Sequence, residues 1–198
     1  MTTDRSEGYE EFASEFMSVR SNTGAAFVRS WANENLSLAS AIVDIGCGSG
    51  IPIAQALIDN GFDVAGIDAS PTLLAAFHAN FPAAQYARKP AQESAFFYRT
   101  FDAAISVGLL FLLSPDDQRA TIERVATALA PGGRFLFSAP RQPCEWLDVL
   151  TGRRSISLGH DAYQALLEAS GFRLLACHFD ESGSTSYYDA QLMERPRP

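Results

Sequence analysis

A run of three glycines at alternate positions constrains this chain more than any other feature. An apolar segment, residues 41–45, precedes the glycines, and residues 51–58 after them carry the apolar spacing of a helix. The glycines are Gly46, Gly48 and Gly50. Glycine permits positive φ angles and lets a ligand approach the backbone closely. The pattern therefore predicts a strand, a tight turn and a helix, with a nucleotide-like cofactor at the carboxyl end of the strand.

Two acids flank this turn. Asp44 lies two residues before Gly46, where a carboxylate would repel a pyrophosphate and could hold an ammonium group. Asp68 ends a second apolar segment, 22 residues after Gly46, and its position suits a bidentate acceptor for the two hydroxyls of an adenosine ribose. A dinucleotide fingerprint, G-x-G-x-x-G, needs a glycine where this chain has Ile51. This difference disfavours an NAD(P)-dependent oxidoreductase.

These residues resemble the class I S-adenosylmethionine-dependent methyltransferases of the small-molecule type. The first motif of that family, D/E-x-G-x-G-x-G, and its second-strand acid match residues 44–50 and Asp68. Two further segments are similar to the family, F-D-x-x-x-S over residues 101–106 and L-x-P-G-G over residues 129–133. The resemblance covers residues 41–139. It implies an α/β fold with a Rossmann-like, doubly wound sheet of seven strands, mostly parallel with an antiparallel last strand, plus an N-terminal helical cover.

Length and local patterns predict how the chain is divided. With 198 residues, a single domain is expected. Its predicted parts are an N-terminal helical cover over 1–40, a cofactor-binding core over 41–139, and a substrate-side insertion with closing strands over 140–198. The apolar periodicity predicts further elements. These are two helices over 6–33 with Tyr9 on the first, a short helix near 145–150, closing strands over 172–179 and 184–193, and a frayed tail over 196–198.

Charge and cysteine usage narrow the classes of function. Fifteen Lys and Arg residues against 23 Asp and Glu residues give a net charge of −8, without the basic footprint of a nucleic-acid binder. The three cysteines form no C-x-x-C pair, so we expect neither a metal site nor a disulfide framework. The chain has no signal-peptide pattern and no apolar run of about 18 residues. We therefore expect a soluble cytoplasmic protein, a monomer or homodimer, without nucleic-acid or membrane partners.

The resemblance implies a set of cofactor-binding residues. The acid before the glycine turn would hold the methionine ammonium group, and the second acid would accept hydrogen bonds from the ribose. The loop after the third strand would border the adenine, and the loop after the fourth strand would touch the methionine end. The implied residues are Asp44, Gly46, Cys47, Gly48, Gly50, Asp68, Ala69, Gln92, Glu93, Ser106, Val107 and Gly108.

The acceptor side has fewer signals. Candidate substrate contacts are Arg20, Phe111, Arg141 and Trp146. Together with Arg153 and Arg154, the arginines suggest an acceptor that carries a carboxylate or phosphate, and a solvated surface is the alternative. Candidate general bases are Tyr9, His160 and Tyr163. For Tyr9 the alternative is an aromatic residue at the edge of the core, and for Arg20 it is a solvated helix end.

The predicted function is methyl transfer from S-adenosylmethionine to a small organic acceptor by in-line displacement. The nucleophile would be nitrogen, oxygen or sulfur, and S-adenosylhomocysteine would be the product. Cys144 follows a proline, like the nucleophile of some cytosine-C5 methyltransferases, but an acidic chain without a basic run disfavours that chemistry. One alternative is a catalytically silent S-adenosylmethionine-binding regulatory protein, because the pattern requires no catalytic residue. The NAD(P)-dependent oxidoreductase is the less favoured alternative.

Overall fold

The computed structural model describes residues 4–194, so the predicted frayed tail over 196–198 lies outside the described residues. The strands are β1 Ala41–Ile45, β2 Asp63–Asp68, β3 Gln85–Arg88, β4 Phe101–Ser106, β5 Leu129–Ser138, β6 Cys144–Leu147, β7 Arg154–Ser157, β8 Phe172–Phe179 and β9 Ser186–Leu192. The helices are α1 Ala13–Val19, α2 Ala25–Asn35, α3 Ile53–Ile58, α4 Pro71–Asn80, α5 Pro115–Ala128 and α6 His160–Ala169.

Seven of the strands form one sheet in the order β3-β2-β1-β4-β5-β9-β8. Strands β1 to β5 pair in parallel, whereas β9 is antiparallel to both of its neighbours, β5 and β8. The predicted fold class, a mostly parallel seven-stranded sheet with an antiparallel last strand, is confirmed. Because the strand order reverses between β1 and β4, their carboxyl ends open a crevice at that point.

Helices cover both faces of this sheet, because its central strands carry apolar side chains on both sides. Apolar residues of α2, α3 and α4 pack on one face, and those of α5 and α6 pack on the other. Serine hydroxyls cap two of these helices: Ser70 accepts from the Leu73 N–H, and Ser114 accepts from the Asp117 N–H. None of the described helices has the length and apolar character needed to cross a membrane.

The segment predicted as a short helix near 145–150 is instead a β-hairpin, so that prediction is wrong. Strand β6 pairs antiparallel with β7. The Asp148 carboxylate closes the connection by accepting hydrogen bonds from the backbone N–H groups of Leu150 and Thr151, at 3.1 and 2.8 Å. The hairpin packs against the segment after β4, with the Trp146 ring 5.2 Å from the Phe111 ring, measured between centroids. These tertiary contacts override the weak helical pattern.

The first helix is shorter than predicted. It begins at Ala13, and residues 6–12, including Tyr9, form turns. The φ angles of Glu7 and Gly8 are +53° and +91°. A right-handed helix cannot pass through this left-handed region. The N-terminal cover therefore consists of a turn segment followed by two helices.

Candidate active site

A cavity of about 410 Å³ lies at the carboxyl ends of β1, β2 and β4, where the strand order reverses. Doubly wound sheets bind their ligands in this crevice. Its walls come from the glycine turn, the ends of β2 and β4, the loop after β3, and the segment before α1. The fold therefore brings predicted cofactor residues from separate segments to one cavity, which we call the cofactor cavity.

Asp68 joins the glycine turn to the end of β2. Its Oδ2 atom accepts a hydrogen bond from the Gly48 N–H, and its Oδ1 atom accepts one from the Ser70 N–H, both at 2.8 Å. Burial raises the pKa of Asp68, and these backbone hydrogen bonds oppose the rise. Gly46, Gly48, Asp68 and Ala69 line the cavity. The carboxylate is thus held in place at the cavity wall, where it can accept further hydrogen bonds from a ligand.

Asp44 lies deeper, on β1. Its side chain is 2% exposed, and its Oδ2 atom has no hydrogen-bond partner among the described residues. Burial, with a contribution from the charge of Asp68, raises the pKa of Asp44 from 3.8 to about 7, while the Arg20 guanidinium opposes the rise. Arg20 lines the cofactor cavity, and Asp44 lies behind its wall. A cation in this part of the cavity would stabilise the charged form of the carboxyl.

The two predicted adenine contacts lie next to each other in the turn after β3, but only one of them faces the cavity. Gln92 lines the cavity and is 6% exposed, and neither its amide oxygen nor its amide nitrogen has a hydrogen-bond partner within residues 4–194. Glu93 instead forms an ion pair with Arg5 and does not line the cavity. A buried amide without partners is costly. Gln92 is therefore suited to a ligand that offers both a donor and an acceptor.

Two of the three residues predicted at the end of β4 and in the loop after it lie at the cavity. Val107 and Gly108 line it. Ser106 is fully buried, and its hydroxyl donates to the Ile45 carbonyl at 3.1 Å. The Gly108 N–H donates to the Ser138 hydroxyl at 2.8 Å, and Ser138 also lines the cavity. Ser106 therefore joins β4 to β1 and holds the loop at the cavity rather than lining it.

Cys47 and Gly50 lie behind the glycine turn and do not line the cavity. Burial raises the pKa of the Cys47 thiol well above its ordinary value. The Cys47 sulfur packs so closely on β2 that a Cβ atom added to Gly66 would lie 2.8 Å from it. A Cβ atom added to Gly50 would lie 2.4 Å from the Phe81 ring. Both residues therefore hold the turn against its neighbours by packing.

Residues 4–12, which we call the cover segment, close one side of the cavity. Their lining residues are Arg5, Ser6, Glu7 and Tyr9. The Tyr9 hydroxyl donates to the Asp148 carboxylate at 3.1 Å, and Arg153 forms an ion pair with Asp4 at 2.8 Å. Burial and the nearby Asp148 charge raise the pKa of Tyr9. The Tyr9 hydroxyl therefore stays protonated at neutral pH and acts as a donor that ties the cover segment to the hairpin.

A second cavity of about 770 Å³, which we call the acceptor cavity, adjoins the first on the side of the hairpin. Three residues line both cavities: Phe111, Trp146 and Thr185. Of the predicted substrate arginines, Arg141 lines the acceptor cavity and Arg20 lines the cofactor cavity. Arg153 and Arg154 line neither cavity, and each forms an ion pair with an acidic residue.

The two remaining base candidates have different surroundings. His160 is the first residue of α6 and lines the acceptor cavity, with its Nδ1 atom 3.6 Å from the Cys177 sulfur and its ring stacked on Tyr188. Tyr163, one turn later, is fully buried and lines neither cavity. Its hydroxyl donates to the Gln118 amide oxygen at 2.8 Å. Because a base must reach the acceptor, this position corrects the expectation for Tyr163 and gives it a core role.

Several cavity residues are absent from the sequence prediction. They are Lys89, Leu109, Ser138, Asp148, Thr185 and Tyr187. Most carry no local motif, because loops and strand ends place them through pairing with distant parts of the chain. Two of them have a local signal: Asp148, with Gly152 four residues later, marks a turn, and Leu109 follows Gly108 after the fourth apolar run.

Residues 4–194 contain no group of three or more His, Cys, Asp or Glu side chains that could hold a metal ion. Cys47, Cys144 and Cys177 are free thiols; Cys47 is buried, Cys177 is half-buried and Cys144 is exposed.

Comparisons with known sequences agree with this geometry. A family model described as a methyltransferase domain matches residues 42–133. The chain is 27% identical over 169 residues to an uncharacterized methyltransferase of Synechocystis sp., and this match covers 80% of the chain and 79% of the relative.

Solved structures of methyltransferases share the fold. The glycopeptide N-methyltransferase MtfA, in complex with S-adenosylmethionine, has a TM-score of 0.68 at 21% identity, over 86% of this chain and 94% of MtfA. The 1,6-didemethyltoxoflavin-N1-methyltransferase of Burkholderia thailandensis has a TM-score of 0.72 at 17% identity, over 98% of this chain and 92% of the Burkholderia chain. The sequence motifs, the strand order and these comparisons together support a class I S-adenosylmethionine-dependent methyltransferase, with the methyltransferase-domain match over residues 42–133.

Proposed function

We propose that this enzyme transfers the methyl group of S-adenosylmethionine to a nitrogen, oxygen or sulfur atom of a small organic acceptor by in-line displacement. The junction of the two cavities carries this proposal. Phe111, Trp146 and Thr185 line both cavities, beside the loop after β4 that the family places at the methionine end. An acceptor that enters the acceptor cavity therefore meets the cofactor cavity at the end where the methyl group would lie.

The polar groups of the cofactor cavity fit S-adenosylmethionine. Asp44 and Arg20 offer opposite charges, which suit the ammonium and carboxylate of the methionine part. Asp68 can accept from the ribose hydroxyls, and Gln92 can pair with the adenine edge. The unpartnered buried atoms of Asp44 and Gln92 support this arrangement, because a ligand with these groups would satisfy them.

When bound, S-adenosylmethionine supplies an electrophilic methyl group on a sulfonium. The chain mainly has to align the acceptor and exclude water. Phe111 and Trp146 form an apolar wall at the junction, and the cover segment closes one side of the cofactor cavity. Alignment of this kind can lower a barrier by about 7–11 kcal/mol.

The experiment that tests the proposed function is a metabolite-panel assay that follows formation of S-adenosylhomocysteine. Acceptor-dependent formation of this product is the expected result. Tight binding of S-adenosylmethionine without turnover on any acceptor would favour the catalytically silent alternative. A larger thermal stabilisation by NAD(H) than by S-adenosylmethionine would favour the oxidoreductase.

The position of Asp44 predicts a pH dependence of cofactor binding. With its pKa raised to about 7, the carboxyl of the free protein is mostly protonated below that pH and must lose its proton to hold an ammonium group. Calorimetric affinity for S-adenosylmethionine should therefore fall by up to about tenfold per pH unit below about pH 7 and level off above it. Binding below about pH 7 should release up to about one proton.

The Asp44→Asn variant is the control for this pH dependence. An amide cannot titrate, so the variant should bind more weakly and lose the pH dependence below neutrality. A wild-type affinity that is flat with pH in this range, or an unchanged slope in the variant, would show that Asp44 does not hold the ammonium group.

We propose His160 as the general base for an acceptor that must lose a proton. It is the candidate that lines the acceptor cavity, and stacking on Tyr188 fixes its ring. General bases contribute about 10²–10⁴-fold, so His160→Gln should lower kcat by about 100-fold or more on the best acceptor of the panel. The Kd for S-adenosylmethionine should not change. His78→Gln is the matched control, because His78, on α4, contacts the Tyr86 ring of β3 at 4.6 Å between centroids and lines neither cavity. Equal kcat values for both variants would exclude His160 as the base.

A further inference from the structure

Arg141 differs from the other arginines near the hairpin. It is exposed, lines the acceptor cavity, and forms no ion pair or side-chain hydrogen bond with any residue of the range 4–194. Arg154 pairs with Glu145, and Arg153 pairs with Asp4. The guanidinium of Arg141 therefore keeps its planar set of donors available to a ligand.

The acceptor cavity also has an unusual charge for this protein. The whole chain has a net charge of −8, yet the residues that line this cavity include no Asp or Glu. Its ionisable side chains are Arg141, His160 and Cys144, and its polar lining is otherwise formed by an amide and hydroxyl groups. An anion would meet a guanidinium there without a competing carboxylate in the wall.

The remaining walls are aromatic. Phe111 and Trp146 stand at the junction with the cofactor cavity, with ring centroids 5.2 Å apart, and the exposed Phe179 also lines the acceptor cavity. Aromatic faces pack well against planar rings in offset or edge-to-face arrangements. A planar ring held at Phe111 and Trp146 would lie where the methyl group is delivered.

We propose that the acceptor is a planar aromatic molecule that carries an anionic group, a carboxylate or a phosphate, bound by Arg141. The ring packs against Phe111 and Trp146 at the junction, and the anionic group points outward to the guanidinium. This assignment of the substrate class rests on the proposed methyl transfer, since it uses the junction between the two cavities.

Matched ligands test the proposal. The protein loaded with S-adenosylhomocysteine is titrated by calorimetry with 4-hydroxybenzoate, 4-hydroxybenzamide, phenyl phosphate and cyclohexanecarboxylate. We expect at least one of the two aromatic anions to bind at least tenfold more tightly than both the neutral amide and the non-aromatic acid. The better of the two anions identifies the anionic group as a carboxylate or a phosphate. Comparable affinity for the amide, or no binding of either aromatic anion, would overturn the proposal.

Two variants locate the contact. Arg141→Gln should abolish the preference for the anion over the amide, whereas Arg154→Gln, on strand β7 in an exposed ion pair, should retain it. Retention of the preference in Arg141→Gln would overturn the assignment. Binding of S-adenosylhomocysteine is measured in the same samples. If it binds and the anion preference is absent, the substrate class is wrong and the methyltransferase proposal stands. If it does not bind to the wild type, the proposed function fails.

Discussion

Replacing Asp68 with alanine should weaken binding of S-adenosylmethionine by about 1.5–3 kcal/mol, the usual size for hydrogen bonds to a charged group, which is about 10- to 160-fold. The loss has two sources in the structure. The variant lacks the carboxylate that can accept from the ribose. It also frees the N–H groups of Gly48 and Ser70, which Asp68 holds at 2.8 Å, so the glycine turn is less well fixed. Titration calorimetry with S-adenosylmethionine measures the effect.

Asp63→Ala is the matched control for this prediction. Asp63 begins the same strand, β2, at the end away from the cavity, and its exposed carboxylate pairs with Arg99. Exposed ion pairs contribute about 0–1 kcal/mol to stability, and this one does not touch the cavity, so cofactor affinity should be unchanged. An Asp68→Ala protein that binds as tightly as the wild type would contradict the ribose assignment.

The core of the fold could be predicted from local signals. Buried parallel strands are continuous apolar runs, and the glycine turn and Asp68 fall at the ends of two such runs. Strand ends of a parallel sheet meet at one edge, so the sequence could place these residues in one site before their distances were known. The same reasoning places Val107 and Gly108 at the cavity, because they follow the fourth apolar run.

The acceptor side could not be predicted in the same way. Each strand of the hairpin has only four residues. Its position beside the cavity depends on contacts with distant segments, such as that of Trp146 with Phe111. Local patterns also could not distinguish His160 from Tyr163, which lie one helical turn apart, although one lines a cavity and the other is in the core. The arginines were equally ambiguous, since only tertiary contacts separate Arg141, which lines a cavity, from Arg153 and Arg154, which form ion pairs.

The third glycine of the motif shows how one pattern can have two physical causes. Gly50 has φ +79°, and a Cβ atom there would lie 2.4 Å from the Phe81 ring and 2.8 Å from the Phe77 ring. Gly50→Ala should therefore reduce the free energy of unfolding by about 2–5 kcal/mol, which combines left-handed backbone strain with overpacking. In a chain of this size we expect the Tm to fall by roughly 5–20 °C in thermal denaturation followed by circular dichroism.

Gly183→Ala separates the two contributions. Gly183 has φ +71°, but no atom lies within 4 Å of the position its Cβ would take, so that variant should lose only the backbone part, about 1–2 kcal/mol. Equal losses in the two variants would show that packing against Phe77 and Phe81 is not the reason for the glycine.

Because Gly50 does not line the cofactor cavity, the folded Gly50→Ala protein should bind S-adenosylmethionine within about threefold of the wild type, at a temperature well below its Tm. A larger loss of affinity in the folded variant would show that Gly50 contributes to cofactor binding, because strain in the turn would then reach Gly48 and Asp68.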